Sequence, residues 1–400
     1  MRRATPATLV TIAACAALSG CGASTKLLTG SSSATGERSS GAQGVGGLGI
    51  PTLATKNTTR VAGADPVADA AGVALAVYPS SAPGTHPQAV TLAPTGDWEA
   101  ALAASVLMAP PIRAPVLLSG SGSLPGATAQ ALDMLAPTGS AGGAQVLRVG
   151  DVPAPGGLRS ASISGSDPYT LAAAIDRFQS AAAGKESPDV VIASAEHPGY
   201  AMPAAGWAAE SGDPILFVDN AGVPQATRDA LLSHGRPHMY VVGPRAAVPA
   251  RVVAQLRRYG PVSRVGAAGA AANSVAFAVY RDPPCAFGQP CAHIPNSFGW
   301  AMRSPGHAYV LINAKRTLDA AAAAALSASG GYGPQLLVRD AASLPASVLN
   351  FFLDYATPGY TQEGPTAAVY NHGWVIGDQT AISVPVQAEL DSLLEVVPQK

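Results

Sequence analysis

The sequence has 400 residues, of which 48% are hydrophobic and only 12% are charged, with a formal net charge of −1 and a pI near 6.6. This composition supplies ample apolar material for buried cores. It offers no clustered basic face of the kind that nucleic acid binding requires, so nucleic acid is excluded as an expected partner.

The N-terminus has the layout of an export signal. Arg2 and Arg3 are followed by an apolar run from Leu9 to Leu18, which is too short to span a bilayer. The run ends at Leu18-Ser19-Gly20-Cys21, which resembles the lipobox of bacterial lipoproteins. The resemblance predicts a signal peptide at residues 1–20 and fatty acylation of Cys21, with an ordinary cleaved signal and a stray cysteine as the alternative. Several acyl chains would anchor the protein firmly to the membrane.

Residues 21–57 are predicted to be the lipidated cysteine and a flexible tether, because Gly, Ser, Thr and Ala dominate this segment. Gly44 to Gly49 match the dinucleotide pattern G-x-G-x-x-G by letter. No predicted strand precedes these residues and no predicted helix follows them, so no cofactor is expected.

One short hydrophobic motif occurs three times, as Ala114–Ser119, Asp213–Val218 and Gly333–Val338. Each copy contains a proline followed by an apolar run, which predicts a buried strand. An Ala-rich helical run precedes each copy, and a Leu-Pro or Val-Pro step follows it and opens another helix. The recurrence predicts three diverged copies of one structural unit.

The predicted units are residues 58–158, 159–260 and 261–400, and the third carries an insertion at 281–306. Strands alternate with helices in each unit, which predicts an α/β fold with a small, mainly parallel sheet per unit. Two packings are open at this stage: three separate domains, or a single intrachain pseudo-trimer.

Two sequence features raise the question of metal or disulfide chemistry. Cys285 and Cys291 are separated by five residues, which favours a disulfide over a metal pair or two free thiols. His234 and His238 have the spacing of helical metal ligands, but Gly235 and Pro237 interrupt the helix, so a solvated turn is expected there. No metal site is predicted.

The repeated unit resembles the cell wall-binding repeat 2 family of bacterial surface proteins. The residues that carry this resemblance are Arg60-Val61-Ala62-Gly63, Ala114-Pro115-Val116-Leu117-Leu118 and Asp319-Ala320. The resemblance extends from about Thr59 to Leu394. The resemblance implies Toprim-like units around a pseudo-threefold axis and non-catalytic, non-covalent binding to anionic wall polymers.

Six residues are candidates for ligand contact. Three carboxylates recur near unit or helix starts, where helix capping is the favoured role and ligand contact the alternative. A polar and aromatic cluster forms the second candidate, with a turn between strands as its alternative. The candidates are Asp65, Asp167, Asp319, Asn371, His372 and Trp374. The four tryptophans of the chain are expected mainly in cores or domain interfaces.

The first functional hypothesis is a membrane-anchored extracytoplasmic lipoprotein that faces the cell wall and binds its glycopolymer or peptidoglycan without catalysis. The alternative is an envelope scaffold or solute-binding lipoprotein with a protein or small-molecule partner. An enzyme is least expected, because the chain contains no G-x-S-x-G, H-E-x-x-H or G-K-[ST] motif.

Overall fold

Strands and helices alternate along most of the chain. The computed structural model describes residues 37–38, 48–50, 52–284, 297–329 and 332–398. Its strands are β1 (Glu37–Arg38), β2 (Thr52–Ala54), β3 (Thr58–Val61), β4 (Val90–Pro94), β5 (Val116–Ser119), β6 (Val146–Val149), β7 (Ser160–Ile163), β8 (Asp189–Ser194), β9 (Ile215–Val218), β10 (His238–Val242), β11 (Val262–Val265), β12 (Ala308–Asn313), β13 (Gln335–Val338), β14 (Gly359–Tyr360), β15 (His372–Ile376) and β16 (Val397–Pro398). The predicted α/β class is confirmed.

Helices connect the strands as crossovers. They are α1 (Pro66–Val77), α2 (Trp98–Ala104), α3 (Gly126–Leu135), α4 (Pro168–Ala183), α5 (Pro198–Ala201), α6 (Pro203–Ser211), α7 (Gln225–Ser233), α8 (Ala250–Leu256), α9 (Ala270–Ala278), α10 (Leu318–Ala328), α11 (Ala346–Phe351) and α12 (Val384–Leu393). Pro203 ends the short helix α5 and begins α6, as expected for a proline that cannot continue a helix from within.

Three sheets of the described chain share one strand order. Sheet 1 is β5-β4-β6-β7 and sheet 2 is β9-β8-β10-β11. Sheet 3 is β13-β12-β15-β3, and β2 and β1 extend it antiparallel beyond β3. Within each group of four strands every pairing is parallel.

The sheets are offset from the sequence repeats by one strand. The opening strand of the second unit, β7, pairs with β6 of the first unit, and the opening strand of the third unit, β11, pairs with β10 of the second. The opening strand of the first unit, β3, pairs with β15 of the third. Each unit therefore completes the sheet of the unit before it, and the series closes into a ring.

The repeated proline motifs form the outer strand of each sheet. Pro115, Pro214 and Pro334 directly precede β5, β9 and β13, where a missing N–H group is tolerated at a sheet edge. The carbonyl of each proline accepts a backbone hydrogen bond from the neighbouring strand, at 2.9, 2.9 and 3.1 Å. This equivalence confirms that the three motifs occupy one structural position.

Small residues allow the central helices to pack closely. Helix α10 contains six consecutive alanines and packs against both α1 and α6. On α6, a Cβ placed on Gly206 would lie 2.6 Å from Ser327 Oγ of α10. The unusually Ala-rich, weakly charged composition follows from helices that are covered on most sides.

Aromatic side chains fill the interior between units 2 and 3. Trp207 of α6 packs against Phe277, Phe298 and Trp300, with ring centroids 6.5, 5.0 and 5.2 Å away. Trp207 and Trp300 are buried, as expected for tryptophans that pack in cores. Phe298 and Trp300 come from the predicted insertion 281–306, so its end contributes to the core.

Two predicted segments differ from the observed structure or lie outside it. Residues 52–54 fall in the predicted tether, but they form β2, whose backbone groups pair with the edge strand β3. Cys21, Cys285 and Cys291 lie outside the described residues. Among the described residues, no helix is both long and apolar enough to cross a membrane.

In units 1 and 2, a glycine two residues after the opening strand (β3 or β7) is required by a close backbone approach. A Cβ on Gly63 would lie 2.5 Å from the backbone nitrogen of Asp69, and a Cβ on Gly165 would lie 2.4 Å from that of Leu171. The first turn of α1 or α4 occupies this space. The same steric constraint in both units explains why each has glycine here.

We expect Gly165→Ala to lower the free energy of unfolding by about 1–3 kcal/mol, because the added methyl group must displace backbone. Gly126→Ala is the matched control, since its Cβ would meet no atom within 4 Å at the start of α3. That substitution should be neutral or stabilise by about 0.4–1 kcal/mol. Urea denaturation of both variants measures the difference, and equal midpoints would contradict the steric argument.

Candidate functional site

Each of sheets 1 to 3 has a topological switch point at the carboxyl ends of its strands. In sheet 3, for example, the chain passes from β12 to β13 on one side of β12. It then crosses from β13 to β15, which lies on the other side of β12. In parallel α/β sheets such a reversal opens a crevice in which ligands bind. The strand from the next unit is added to the same sheet, so we expect each crevice to lie at a junction between units.

We name the crevices by the units that meet there. We assign to each junction the polar residues on its strands and in the loops and first helical turns that follow them. Junction 1–2 comprises Asp97, Glu99, Arg148, Asp151 and Asp167. Junction 2–3 comprises His197, Tyr200, Arg245, Arg264 and Asn273. Junction 3–1 comprises Arg60, Asp69, Arg316, Asp319 and Asp378.

A buried arginine holds junction 3–1 together. Arg60 of β3 is 1% exposed, and its guanidinium Nε donates to Gln387 Oε1 at 2.8 Å. Nη1 donates to the carbonyls of Gly377 and Asp378 at 2.8 and 3.0 Å, and Nη2 donates to the carbonyl of Ser383 at 3.3 Å. Burial lowers the pKa of Arg60 to about 10. These hydrogen bonds fix the carbonyl oxygens of the loop that follows β15.

Two buried carboxylates share the other arginine of this junction. Arg316 pairs with Asp69 Oδ2, and its Nε lies 2.7 Å from Asp319 Oδ2. Asp69 Oδ1 also accepts a hydrogen bond from the backbone of Gly63 at 2.9 Å. Burial, followed by the nearby charge of Asp319, raises the pKa of Asp69 to about 9, and burial raises that of Asp319 to about 7. The pair therefore tends to retain a proton near neutral pH.

Junction 1–2 is acidic. Asp97 caps α2 by accepting from Ala100 N at 2.8 Å, and burial raises the pKa of the neighbouring Glu99 to about 7. Arg148 reaches across from β6 to Ser162 of β7, which occupies the strand position held by Arg60 in unit 1. The arginine has thus moved to the neighbouring strand at this junction.

Junction 2–3 is basic. Arg264 of β11 occupies the position of Arg60 and donates to the carbonyls of Gly243 and Val248, both at 2.7 Å. Burial and the nearby charge of Arg245 lower the pKa of Arg264. Arg245 is exposed on the loop that follows β10. Two cations therefore lie near each other at this crevice.

Polar and aromatic groups complete junction 2–3. The backbone of Gly269 donates to Tyr200 Oη at 3.1 Å, and Asn273 Nδ2 donates to the carbonyl of Tyr200 at 3.2 Å. The rings of His197 and Tyr200 lie edge to face, with centroids 6.2 Å apart. Asn273 Oδ1 accepts from Ala267 N at 3.4 Å, which places an amide where unit 1 has Asp69.

The structure separates the three predicted carboxylates. Asp65 and Asp167 are exposed helix caps, with Asp167 forming a capping box with Thr170. Asp319 does not cap α10; it lies in the first turn, fully buried against Arg316. Capping is therefore confirmed for two of the three, and capping by Asp319 is wrong because its side chain turns inward to an ion pair. Ligand contact by these residues stays a prediction.

The second predicted cluster begins at the amino end of β15, so it lies at the opposite end of the strands from the junctions. Asn371 is buried, accepts from the backbone of Gly306 and His307, and donates to the carbonyl of Ala356. The rings of His372 and Trp374 lie 5.1 Å apart, and burial lowers the pKa of His372. These residues are not brought together with Asp65, Asp167 or Asp319.

Sequence reasoning missed Asp69, Arg316 and Arg245. Asp69 lies four residues after the capping Asp65, so its role could have been suspected from helix periodicity. Its partner Arg316 is 247 residues away and carries no such signal. The turn at 234–238 was expected to be solvated, but the His234 side chain is fully buried against Asp176, which corrects that expectation.

One part of the chain matches a known family. Residues 162–253 match the family described as Cell wall binding domain 2 (CWB2). The match covers most of unit 2, including His197, Tyr200 and Arg245. The resemblance to cell wall-binding repeats is confirmed for this segment. No curated protein matches the sequence.

Two solved structures share the fold. Cwp6 from Clostridium difficile matches with a TM-score of 0.65 at 16% identity, covering 86% of this chain and 49% of that chain. Cwp8 from Clostridium difficile matches with a TM-score of 0.62 at 16% identity, covering 85% and 51%. The chain thus spans about half the length of each. At this identity the likeness shows the fold, while the family match supports association with the cell wall.

Proposed function

We propose that the chain is a membrane-anchored extracytoplasmic lipoprotein that binds a cell-wall glycopolymer non-covalently through its three units. The observation that carries the proposal is the match of residues 162–253 to a cell wall binding domain. The match is to a binding domain, which supports a function without catalysis. The lipobox at Cys21 supports attachment to the membrane on the side that faces the wall.

The charges at the junctions favour junction 2–3 as the main contact for an anionic polymer. At junction 3–1, the carboxylates of Asp69, Asp319 and Asp378 surround Arg316. Junction 1–2 exposes Asp151 and Asp167. Junction 2–3 instead presents Arg245 beside Arg264, and a positive crevice attracts an anionic chain.

Neighbouring groups at junction 2–3 suit a sugar polymer. Tyr200 and His197 offer ring faces against which apolar sugar surfaces can pack. Arg245 offers several N–H donors for phosphate or carboxylate groups. A repeated anionic saccharide would use both kinds of contact.

Charge reversal tests the proposal. We expect Arg245→Glu to weaken sedimentation of the protein with purified bacterial cell wall by about tenfold in apparent affinity, because it replaces a charge-assisted contact with repulsion. Arg257→Glu is the matched control, because Arg257 is exposed at the far end of α8 in the same unit. Equal loss in both variants would indicate a non-specific charge effect and would contradict the assignment to junction 2–3.

An envelope scaffold with a protein partner is the second candidate function. Of the six exposed large apolar side chains in the described part of the chain, four lie between Leu353 and Tyr370. Exposed apolar groups concentrated in one segment are typical of interaction surfaces. Binding to a purified envelope protein that Leu353→Ser abolishes, with no sedimentation on wall, would favour this alternative.

A further inference from the structure

A histidine and two carboxylates lie close together in unit 2, at the amino ends of the strands of sheet 2. Asp176 lies on α4, Glu186 lies in the loop before β8, and His234 directly follows α7. His234 Nε2 is 2.8 Å from Asp176 Oδ2 and 3.7 Å from Glu186 Oε2. The three ligand-type atoms all lie within 4.8 Å of one another. This cluster plays no part in the proposed polymer contact.

Backbone contact fixes the orientation of the imidazole. His234 Nδ1 lies 2.8 Å from the carbonyl oxygen of Ser187. A carbonyl oxygen only accepts, so Nδ1 carries a proton and donates it. Nε2 is then the nitrogen that faces the two carboxylates. Metal-binding histidines are commonly oriented in this way by a hydrogen bond from the second ring nitrogen to a backbone carbonyl.

The spacing of the atoms suits a small divalent ion. Tetrahedral Zn²⁺ with bonds of about 2.0–2.1 Å separates its ligand atoms by roughly 3.3 Å. The observed separations of 2.8 and 3.7 Å from Nε2 bracket that value. Small opposite movements, with the Asp176 carboxylate moving away from Nε2 and the Glu186 carboxylate moving toward it, would bring both separations to that value.

Burial divides the three residues into an inner pair and an outer ligand. The side chains of His234 and Asp176 are 0% and 2% exposed, whereas that of Glu186 is 36% exposed. Glu186 Oε2 itself is shielded from solvent and accepts no hydrogen bond from the described residues. The exposed part of the Glu186 side chain lies between solvent and the site, so a rotation of this carboxylate would let water enter as the fourth ligand.

We propose that Asp176 Oδ2, Glu186 Oε2 and His234 Nε2 bind one Zn²⁺-type divalent ion, with water as the fourth ligand. The ion would tie α4, the loop before β8 and the end of α7 together. Any proton on Nε2 leaves to solvent when the ion binds, since a metal-bound imidazole uses that lone pair. The site lies at the edge of sheet 2 opposite junction 2–3, so its role is structural and independent of polymer binding.

Calorimetric titration with Zn²⁺ tests the proposal on the full chain, purified in detergent and freed of metal with EDTA. The titration uses a Cys285→Ser/Cys291→Ser background so that thiolates cannot account for binding. We expect one Zn²⁺ per chain and a higher thermal midpoint with Zn²⁺ than without it.

Variants locate the ion. We expect Glu186→Gln to weaken binding by at least about tenfold and His234→Gln by at least about a hundredfold. His86→Gln is the matched control, because His86 Nδ1 makes the same kind of contact to a carbonyl, that of Leu135, at 2.8 Å. His86 is not part of the cluster, so this variant should bind Zn²⁺ as the parent does. If His234→Gln does not fold, the Glu186→Gln variant still tests the proposal, because the Glu186 side chain is 36% exposed and its substitution should not prevent folding. No stoichiometric binding by the parent, or equal binding by Glu186→Gln, would overturn the proposal.

Discussion

Arg60→Met is expected to destabilise the protein by about 2–5 kcal/mol, because each buried acceptor that loses its donor costs about 1–3 kcal/mol. The buried guanidinium donates to Gln387, Gly377, Asp378 and Ser383. Methionine fills similar space but donates nothing, so Gln387 Oε1 and the carbonyl of Gly377 would lose their donor, whereas the carbonyls of Asp378 and Ser383 keep backbone donors. Because Arg60 lies on the strand that closes the ring of sheets, the loss should concentrate at junction 3–1.

Arg264→Met is the matched control for that substitution. Arg264 holds the same strand position in unit 3 but is less buried and donates to two carbonyls. We expect a loss of about 1–2 kcal/mol there. Urea denaturation gives the two values, and hydrogen exchange should show faster opening of β3 and β15 only in Arg60→Met. Equal losses and equal exchange would contradict a special role of Arg60 in ring closure.

Stability is expected to fall as pH rises, and Asp69→Asn should remove much of that dependence. The pKa of Asp69 is raised from its ordinary value of 3.8 to about 9 in the folded protein. A raised carboxyl pKa contributes stability that is fully present below about pH 4 and is lost as pH rises through 9. One extra proton in the folded state gives a slope of about 1.4 kcal/mol per pH unit.

The measurement is the free energy of unfolding between pH 5 and pH 8 for the parent and two variants. Asp69→Asn cannot ionise, and unit 3 already carries Asn273 at this position. Asp65→Asn is the control, because Asp65 is exposed and asparagine caps a helix about as well. We expect a flatter profile for Asp69→Asn only. Parallel profiles for all three proteins would contradict a proton held between Asp69 and Asp319.

Local chemistry made the strands and caps predictable. Pro115, Pro214 and Pro334 each precede an apolar run. A proline and an apolar run both influence the backbone only within a few neighbouring residues, so their effect can be read from the local sequence. Asp65 and Asp167 precede prolines at helix starts, where a carboxylate accepts from the first-turn amides. These features need no knowledge of the tertiary fold.

Long-range contacts escaped prediction for a physical reason. The pairing of β3 with β15 joins residues more than 300 positions apart, and a short strand does not specify its partner when every unit supplies a similar one. Asp319 was expected to cap a helix, but Arg316 and Asp69 draw it into a buried ion pair. His234 meets Asp176 across 58 positions, which no local spacing reveals.

Sedimentation of residues 22–400 with purified cell wall, before and after acid extraction of its secondary polymers, tests the proposed function most directly. We expect the protein to sediment with intact wall and to stay in solution when the extracted wall is used. Equal sedimentation with both walls would contradict glycopolymer as the ligand and would point to peptidoglycan. Failure to sediment with either would contradict wall binding altogether.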